Sequence, residues 1–344
     1  MAAWSRRHVV KTFAAGTALG TGWSARAETP LQKATLTVGG QGLFFMTPYL
    51  AVDGGFFKQQ GLDITILDVG SGTRQAASIL GGSAEMSTLG IEQNMQADAR
   101  GGSLVAISSC FNAFPMSVVL SHQAVQKNGF TPGLSLDDKV KRLHGLRLGI
   151  SSPGSSTEEF VRTLFLARGM NPEKEVSLQP VGGGAPMLAA LEAGGIDGFV
   201  WGPPFSTAAV TKDNATVVID AMTGEVPEFT NYAYLCLSTS RQTLETKRPL
   251  LLSAVRAFAA TMTFAHTQSD KAAATIRHRF SEMDDSVYRT AFDLFVKGVP
   301  MVPNIEEARY NKTLSTLNVS LKPPLSVAYS QVVTPDLAQE AMKG

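Results

Sequence analysis

Leu188-Ala189-Ala190-Leu191-Glu192-Ala193-Gly194-Gly195-Ile196-Asp197-Gly198 reads as a short apolar-periodic helix, stopped by a glycine pair and followed by a strand. The same grammar stands earlier in the chain, where Ala76–Leu80 runs into Gly81-Gly82 and then Ala84-Glu85-Met86. Working outward, Leu36-Thr37-Val38-Gly39 matches Leu146-Arg147-Leu148-Gly149, Gly61-Leu62 matches Gly169-Met170, and Val69-Gly70 matches Val181-Gly182. Gly90 likewise matches Gly202. The matched pairs share nearly one offset, roughly 110 positions, so the chain carries an internal repeat. Each copy reads strand, helix, strand, helix, strand, and such alternation implies mostly parallel sheets flanked by helices.

Two α/β lobes of this kind place ligand-competent loops beyond the carboxyl ends of their strands, with a binding cleft between them. The first copy runs from about Ala34 to Phe114 and holds a strand at Val105–Ser109. Met116–Ser121 and Tyr232–Ser238 are extended apolar stretches bracketing the second copy, where the chain crosses out and back. The expected division is therefore 34–116 plus 238–344 for lobe one and 117–237 for lobe two. After Thr239 the pattern becomes helical at Leu250–His266, Lys271–Phe280, Ser286–Val296 and Ile305–Leu317, and these helices are expected to pack on lobe one.

Composition narrows the function classes. The 344 residues hold 30 Lys+Arg against 29 Asp+Glu, with 44% hydrophobic and 17% charged residues, a globular balance. Four of the basic residues (Arg6, Arg7, Lys11 and Arg26) precede position 28, where no acidic residue stands, so the rest is slightly acidic. A body of that charge offers no electrostatic footprint for nucleic acid or an anionic membrane surface. Ser5-Arg6-Arg7-His8-Val9-Val10-Lys11 resembles a twin-arginine export motif, followed by an uncharged run from Thr12 to Ala25. Ala25-Arg26-Ala27 is an A-x-A-like cleavage site, and the run is too short to span a bilayer, which takes about 20 residues. The expectation is a signal peptide over 1–27 and a periplasmic mature protein that begins near Glu28. Cys110 and Cys236, the two cysteines, lack metal-ligand spacing and read as free buried thiols.

The candidate binding residues sit where strands end. Gly70-Ser71-Gly72-Thr73-Arg74 opens a helix expected over Gln75–Leu80, and a helix start presents unpaired N–H groups and partial positive charge to an anion. Arg74 can add a forked contact to a carboxylate or sulfonate, and a Ser/Thr cap with a solvated Arg explains the same residues. Ser152-Pro153-Gly154-Ser155-Ser156-Thr157-Glu158-Glu159 reads as the corresponding turn of lobe two, a capping box whose spare hydroxyls reach a ligand. Gly182-Gly183-Gly184-Ala185-Pro186 allows close backbone approach. Phe44, Phe45, Phe111, Phe114 and Trp201 gather near strand ends, with Phe44 and Trp201 best placed to wall a cleft. Gln41 and Asn112 are polar groups in comparable loops, and Glu92 is the acidic candidate of lobe one, suited to a cationic group if buried. The expected ligand contacts are thus Gln41, Phe44, Ser71, Thr73, Arg74, Glu92, Asn112, Gly154, Ser155, Ser156, Gly183 and Trp201. No metal-binding or nucleophilic motif stands out, so neither a cofactor nor catalysis is expected.

Pro48-Tyr49-Leu50-Ala51-Val52-Asp53-Gly54-Gly55-Phe56-Phe57-Lys58-Gln59-Gln60-Gly61-Leu62-Asp63-Ile64 resembles the first-helix signature of periplasmic solute-binding proteins of the nitrate/sulfonate/taurine class. Gly154-Ser155-Ser156, Gly169-Met170-Asn171-Pro172 and Leu188–Gly198 carry the likeness through the second half, so that it spans about 34 to 240. The resemblance implies a two-lobed periplasmic-binding fold of type II. It also implies a monomer that hands a small solute to the membrane permease of an ATP-driven (ABC-type) importer. The class shares its fold with binders of thiamine-pyrimidine precursors. Where the family often has an acidic residue before the proline, Trp201-Gly202-Pro203-Pro204 has glycine, which removes a carboxylate from the expected cleft. The ligand read from these features is a small organic anion, sulfonate or carboxylate, with an aromatic or aliphatic body. A neutral pyrimidine-like solute is the alternative, and an enzyme on the same fold is a further one.

Overall fold

The computed structural model describes residues 30–343; the expected signal peptide lies outside the described residues. Two five-stranded mixed sheets organise the chain. The strands are β1 (Gln32–Val38), β2 (Leu62–Asp68), β3 (Met86–Gly90), β4 (Leu104–Phe111), β5 (Ser117–Leu120), β6 (Arg147–Ile150), β7 (Ser177–Pro180), β8 (Gly198–Val200), β9 (Thr216–Asp220) and β10 (Leu235–Ser240). The first sheet runs β2-β1-β3-β10-β4 and the second β7-β6-β8-β5-β9. Each sheet is parallel except for one strand: β10 is antiparallel to β3 and β4, and β5 to β8 and β9.

The internal repeat maps onto this order element by element. β1, β2, β3 and β4 occupy the same places as β6, β7, β8 and β9, and the antiparallel strand in each sheet is the one formed as the chain crosses. The stretches read as crossings, Met116–Ser121 and Tyr232–Ser238, overlap β5 and β10. Both crossing strands, each next to the edge of its sheet, are buried on both faces, as a sheet covered by helices on each side requires: β5 and β10 carry only buried residues.

The equivalence corrects one sequence reading. The helix Gly72–Leu80 follows β2, and its counterpart is the helix Ala185–Glu192 after β7. The turn at Ser152–Glu159 follows β6 and corresponds instead to the turn after β1 that opens the helix Met46–Asp53. The offset that pairs Val69-Gly70 with Val181-Gly182 carries Ser71 to Gly183. The two serine-bearing turns are alike in composition only, because any helix start draws on the same capping residues.

The C-terminal helices form close to their expected places, at Arg248–Thr267, Ser269–Ile276, Asp285–Phe295 and Glu307–Ser320. Arg248–Thr267 packs against Met46–Asp53 and β4, on the first sheet. Glu307–Ser320 does more. It lies against both Ile91–Ala99 of the first lobe and Ser156–Leu166 of the second, so it touches both halves of the molecule. Cys110 and Cys236 are both buried and free. Cys110 belongs to the main core, and Cys236 alternates with Leu235 and Leu237 so as to face a second cluster with Met95 and Tyr310.

Candidate functional site

The strand order puts the carboxyl ends of both sheets at one interlobe seam. Three helices start there: Gly72–Leu80 and Ile91–Ala99 from lobe one and Ser156–Leu166 from lobe two. The starts of Gly72–Leu80 and Ser156–Leu166 keep first-turn N–H groups of the kind a helix leaves unpaired, whereas the first N–H of Ile91–Ala99 donates to the Tyr234 carbonyl at 2.9 Å. All three turn the positive end of their peptide dipoles toward the seam.

The lobes meet directly along it. Thr73 Oγ1 lies 2.9 Å from Ser152 Oγ and donates to the Pro153 carbonyl at 3.1 Å. Gln93 Nε2 donates to the Gly154 carbonyl at 2.8 Å, and Gly183 N–H donates to the Gly70 carbonyl at 3.1 Å. Trp201 Nε1–H donates to the Gln41 carbonyl at 2.9 Å. Gly183 makes the fit possible, since a Cβ there would stand 2.5 Å from the Trp201 ring and 3.1 Å from the Gly39 carbonyl oxygen. The space left at the bottom of the seam is about 20 Å³, the size of a water site and far short of a solute. It is lined by Phe44, Phe45, Met116, Trp201 and Tyr234, with Ser155 and Ser156 on the polar side. A wider mouth of about 780 Å³ lies outside it, bounded by Gln41, Arg74, Ser152 and Gly183. This is a closed arrangement of two lobes.

Most expected residues converge here. Phe44 and Trp201 meet edge-to-face with centroids 5.5 Å apart, and both are buried. Ser71 caps the helix Gly72–Leu80, accepting from Arg74 N–H at 3.4 Å, while Arg74 itself is exposed at the mouth. Gln41 lines that mouth, its side-chain amide donating to the Arg279 carbonyl. The capping box expected at Ser155 is not formed. Ser155 stands at the cap position, but its hydroxyl donates to the Ser152 carbonyl at 2.6 Å, and Glu158 accepts from Gly154 N–H instead. Thr157 takes over the local bonding, accepting from Ser151 N–H at 2.9 Å.

Glu92 is the unusual member. Its carboxyl is fully buried, folds back over Gly90 and accepts from Ser156 Oγ of the other lobe. Its second oxygen has no partner. Loss of water pushes its pKa up to about 7, against the lowering effect of the Ser156 bond.

Asn112 is not drawn into the site. It lies just past β4, where Oδ1 accepts from Ser109 Oγ at 2.7 Å and its N–H donates to the Gly298 carbonyl at 2.7 Å, tying the strand to the C-terminal helices. Phe111 and Phe114 are core: Phe111 packs on Phe295 at 5.9 Å, and Phe114 stacks on Phe229 at 4.1 Å. Gly202 is a packing glycine, because a Cβ there would lie 2.6 Å from the Pro115 carbonyl oxygen.

Sequence reasoning missed Gln75, Gln93 and Tyr234. Buried Gln75 reaches Ser87 Oγ at 2.7 Å and the Thr88 carbonyl at 2.6 Å, bracing the floor between β1 and β3. Its place in the first turn of a helix at a strand end was the available clue. Tyr234 immediately precedes β10, and only the topology brings it to the seam.

Two mixed α/β lobes with one crossing strand each, closing over a seam of helix starts, define a bilobal binding fold. A family model described as the NMT1-like family matches residues 29–278, and the chain belongs to that family. Among solved structures, a protein of Bordetella bronchiseptica RB50 shares 22% identity at TM-score 0.79, over 90% of this chain and 97% of that one. The ligand-binding component of an ABC-type import system from Staphylococcus aureus, with zinc bound, shares 14% identity at TM-score 0.69, over 92% and 100%. The alkanesulfonate-binding protein SsuA from Xanthomonas axonopodis pv. citri, bound to MOPS, shares 14% identity at TM-score 0.66, over 92% and 98%. No curated protein sequence matches the chain. The resemblance read from the sequence is borne out, and the fold is that of periplasmic binding proteins.

Proposed function

We propose that this protein is the solute-capturing component of an ABC-type importer, closing by a hinge over a small organic anion and delivering it to a membrane permease. The observation that carries the reading is the convergence of helix starts from both lobes on one seam, walled by Phe44 and Trp201. Unpaired N–H groups suit a sulfonate or carboxylate, and the aromatic walls suit an organic body. Arg74 stands at the mouth, where a guanidinium can meet the anion as the lobes close. The lobes divide as 34–116 with 238–344, and 117–237, the last boundary falling inside β10 of the first sheet, and no chemical step is needed. Residues 1–27 serve as a twin-arginine export signal, which sends the protein to the periplasm as a monomer. Among the described residues no helix is long and apolar enough to cross a membrane, which leaves transport itself to the permease.

Glu92 favours a second reading, a neutral pyrimidine-like solute. A buried carboxyl with a spare oxygen between aromatic walls suits ring N–H groups better than an anion, unless it carries a proton.

Thermal unfolding of the purified protein against sulfonates, carboxylates, nitrate, bicarbonate and pyrimidines separates the two. A ligand at 1,000 times its Kd adds about 4 kcal/mol, or about 6 °C at this chain length. Shifts confined to sulfonates or carboxylates support the first reading, and shifts confined to pyrimidines the second. Arg74→Ala is expected to weaken anion binding by more than about 1.5 kcal/mol. An unchanged affinity removes Arg74 from the site.

A further inference from the structure

Two carboxyls with no cation beside them join the lobes. Glu92, on the lobe-one helix Ile91–Ala99, accepts from Ser156 Oγ at the start of the lobe-two helix Ser156–Leu166. Glu159, one turn further along that helix, accepts from Ser320 Oγ at 2.6 Å and from Thr163 Oγ1 at 3.1 Å. Ser320 ends the helix Glu307–Ser320, which also packs on Ile91–Ala99. One lobe-two helix is thus clasped between two helices that pack together on the other side, each holding it through a carboxyl–serine bond. Glu92 is 0% and Glu159 6% exposed.

The groups around them supply no positive charge. Tyr234 and Cys236 face Glu92 from the β10 side, and Tyr232 just before them carries a buried hydroxyl that also lacks a partner. The ionisation of all three is opposed by burial and by the Glu92 charge. On the clasped helix, Glu158 is paired with Arg162 at 2.8 Å, and Arg162 also with Glu173 at 2.7 Å. Arg168 beyond its end is committed to Asp137 at 2.8 Å and Glu228 at 3.3 Å. Asn94 and Gln93 on Ile91–Ala99, and Thr313, Thr316 and Tyr310 on Glu307–Ser320, are neutral, and Lys322 past Ser320 is exposed. Two adjacent buried carboxylates would repel one another as well as lose their water.

We propose that closing the lobes takes up protons from solvent at Glu92 and Glu159, so that capture is favoured at low pH and release as the pH rises. The proposal rests on the solute-binding reading for its purpose. Burial pushes the pKa of each carboxyl up to about 7 in the closed form, with the neighbouring carboxylate adding to the rise at Glu159. Opening returns Glu92 to water and to the ordinary carboxylate range near about 4.3. A group raised in the closed state favours closure fully below its open-state pKa and loses that contribution as pH climbs through about 7. For Glu92 alone, the closure constant falls about 30-fold between about pH 5.5 and about pH 8.5.

The test needs no solute. Small-angle scattering of the full chain is followed across that pH range for the wild type, Glu92→Gln, Glu159→Gln and the double variant. The radius of gyration of the wild type is expected to rise through neutral pH, while the double variant, permanently uncharged at both positions, keeps the closed value. A flat wild-type profile overturns the proposal, as does a double variant that opens like the wild type. If a variant fails to fold, infrared spectroscopy of the wild type decides. A protonated-carboxyl carbonyl band is expected at about pH 6 and gone by about pH 8.5, and its absence at the lower pH overturns the proposal. A solute panel that returns nothing would undo the importer reading and leave both of these outcomes standing on their own.

Discussion

Cross-linking Thr73 to Ser152 tests the closed seam most directly. Their hydroxyl oxygens stand 2.9 Å apart at the rim, one from each lobe. With cysteines at both positions the two sulfurs have to approach to about 2.05 Å, a small adjustment for side chains at a rim. Thr73→Cys/Ser152→Cys is therefore expected to oxidise readily under mild conditions, while Cys110 and Cys236 stay inert inside the core. The bond closes a loop spanning 79 residues, and the chain-entropy model gives about 4.5 kcal/mol of stabilisation for that length. For a chain of this size that amounts to about 7 °C in the unfolding midpoint. Trp201 supplies the readout of closure, being only 3% exposed where it meets the Gln41 carbonyl across the seam. With Trp4 and Trp23 replaced by Phe, it is the sole emitter. Acrylamide quenching of its fluorescence is expected to drop on oxidation and recover on reduction, and the locked seam, with room for only about 20 Å³, is expected to exclude a solute until the bond is cut. A disulfide that forms without changing quenching would mean that the rim contact is uncoupled from the cleft. Failure to form it at all would mean that the rims do not meet.

Two further outcomes follow from placement. Asn112→Ala removes the acceptor for the buried Ser109 hydroxyl and is expected to cost about 1 kcal/mol of stability by chemical denaturation, with solute affinity unchanged. A loss of affinity at constant stability would return Asn112 to the site. Replacing Arg6 and Arg7 by Lys is expected to leave the precursor in the cytoplasm on cell fractionation, and normal export of that variant would refute the address read from residues 1–27.

The contrast between what the sequence disclosed and what it hid has a physical basis. Glycine spacing and apolar periodicity are local properties, so the strands, the crossings and the repeat were legible without a structure. Even the shared sheet order follows once Leu36 is matched to Leu146 and Gly90 to Gly202. Site membership depends on what comes from the other lobe. Asn112 and Gln41 both read as polar residues in loops near strand ends, yet one is drawn to Gly298 and the other to the mouth beside Trp201. The serine cluster misled for a related reason. Capping chemistry predicts a bond from Ser155 to its own helix, but Thr157 supplies the competing oxygen, and Ser156 is left free to turn outward to Glu92. That substitution matters beyond local geometry. A serine committed to its own helix would stabilise lobe two alone, whereas a serine donating to a buried carboxyl of lobe one stabilises only the closed molecule. The burial that raises Glu92 comes from side chains far from it in sequence, Ser156 of the other lobe among them, so no reading of residues 90–94 by themselves can assign its charge. The helix Glu307–Ser320 makes the same point from the far end of the chain, since its serine reaches a carboxyl 161 residues earlier. The contacts that join the lobes link residues 61 to 161 positions apart, and for that reason they are parts a linear reading sees last.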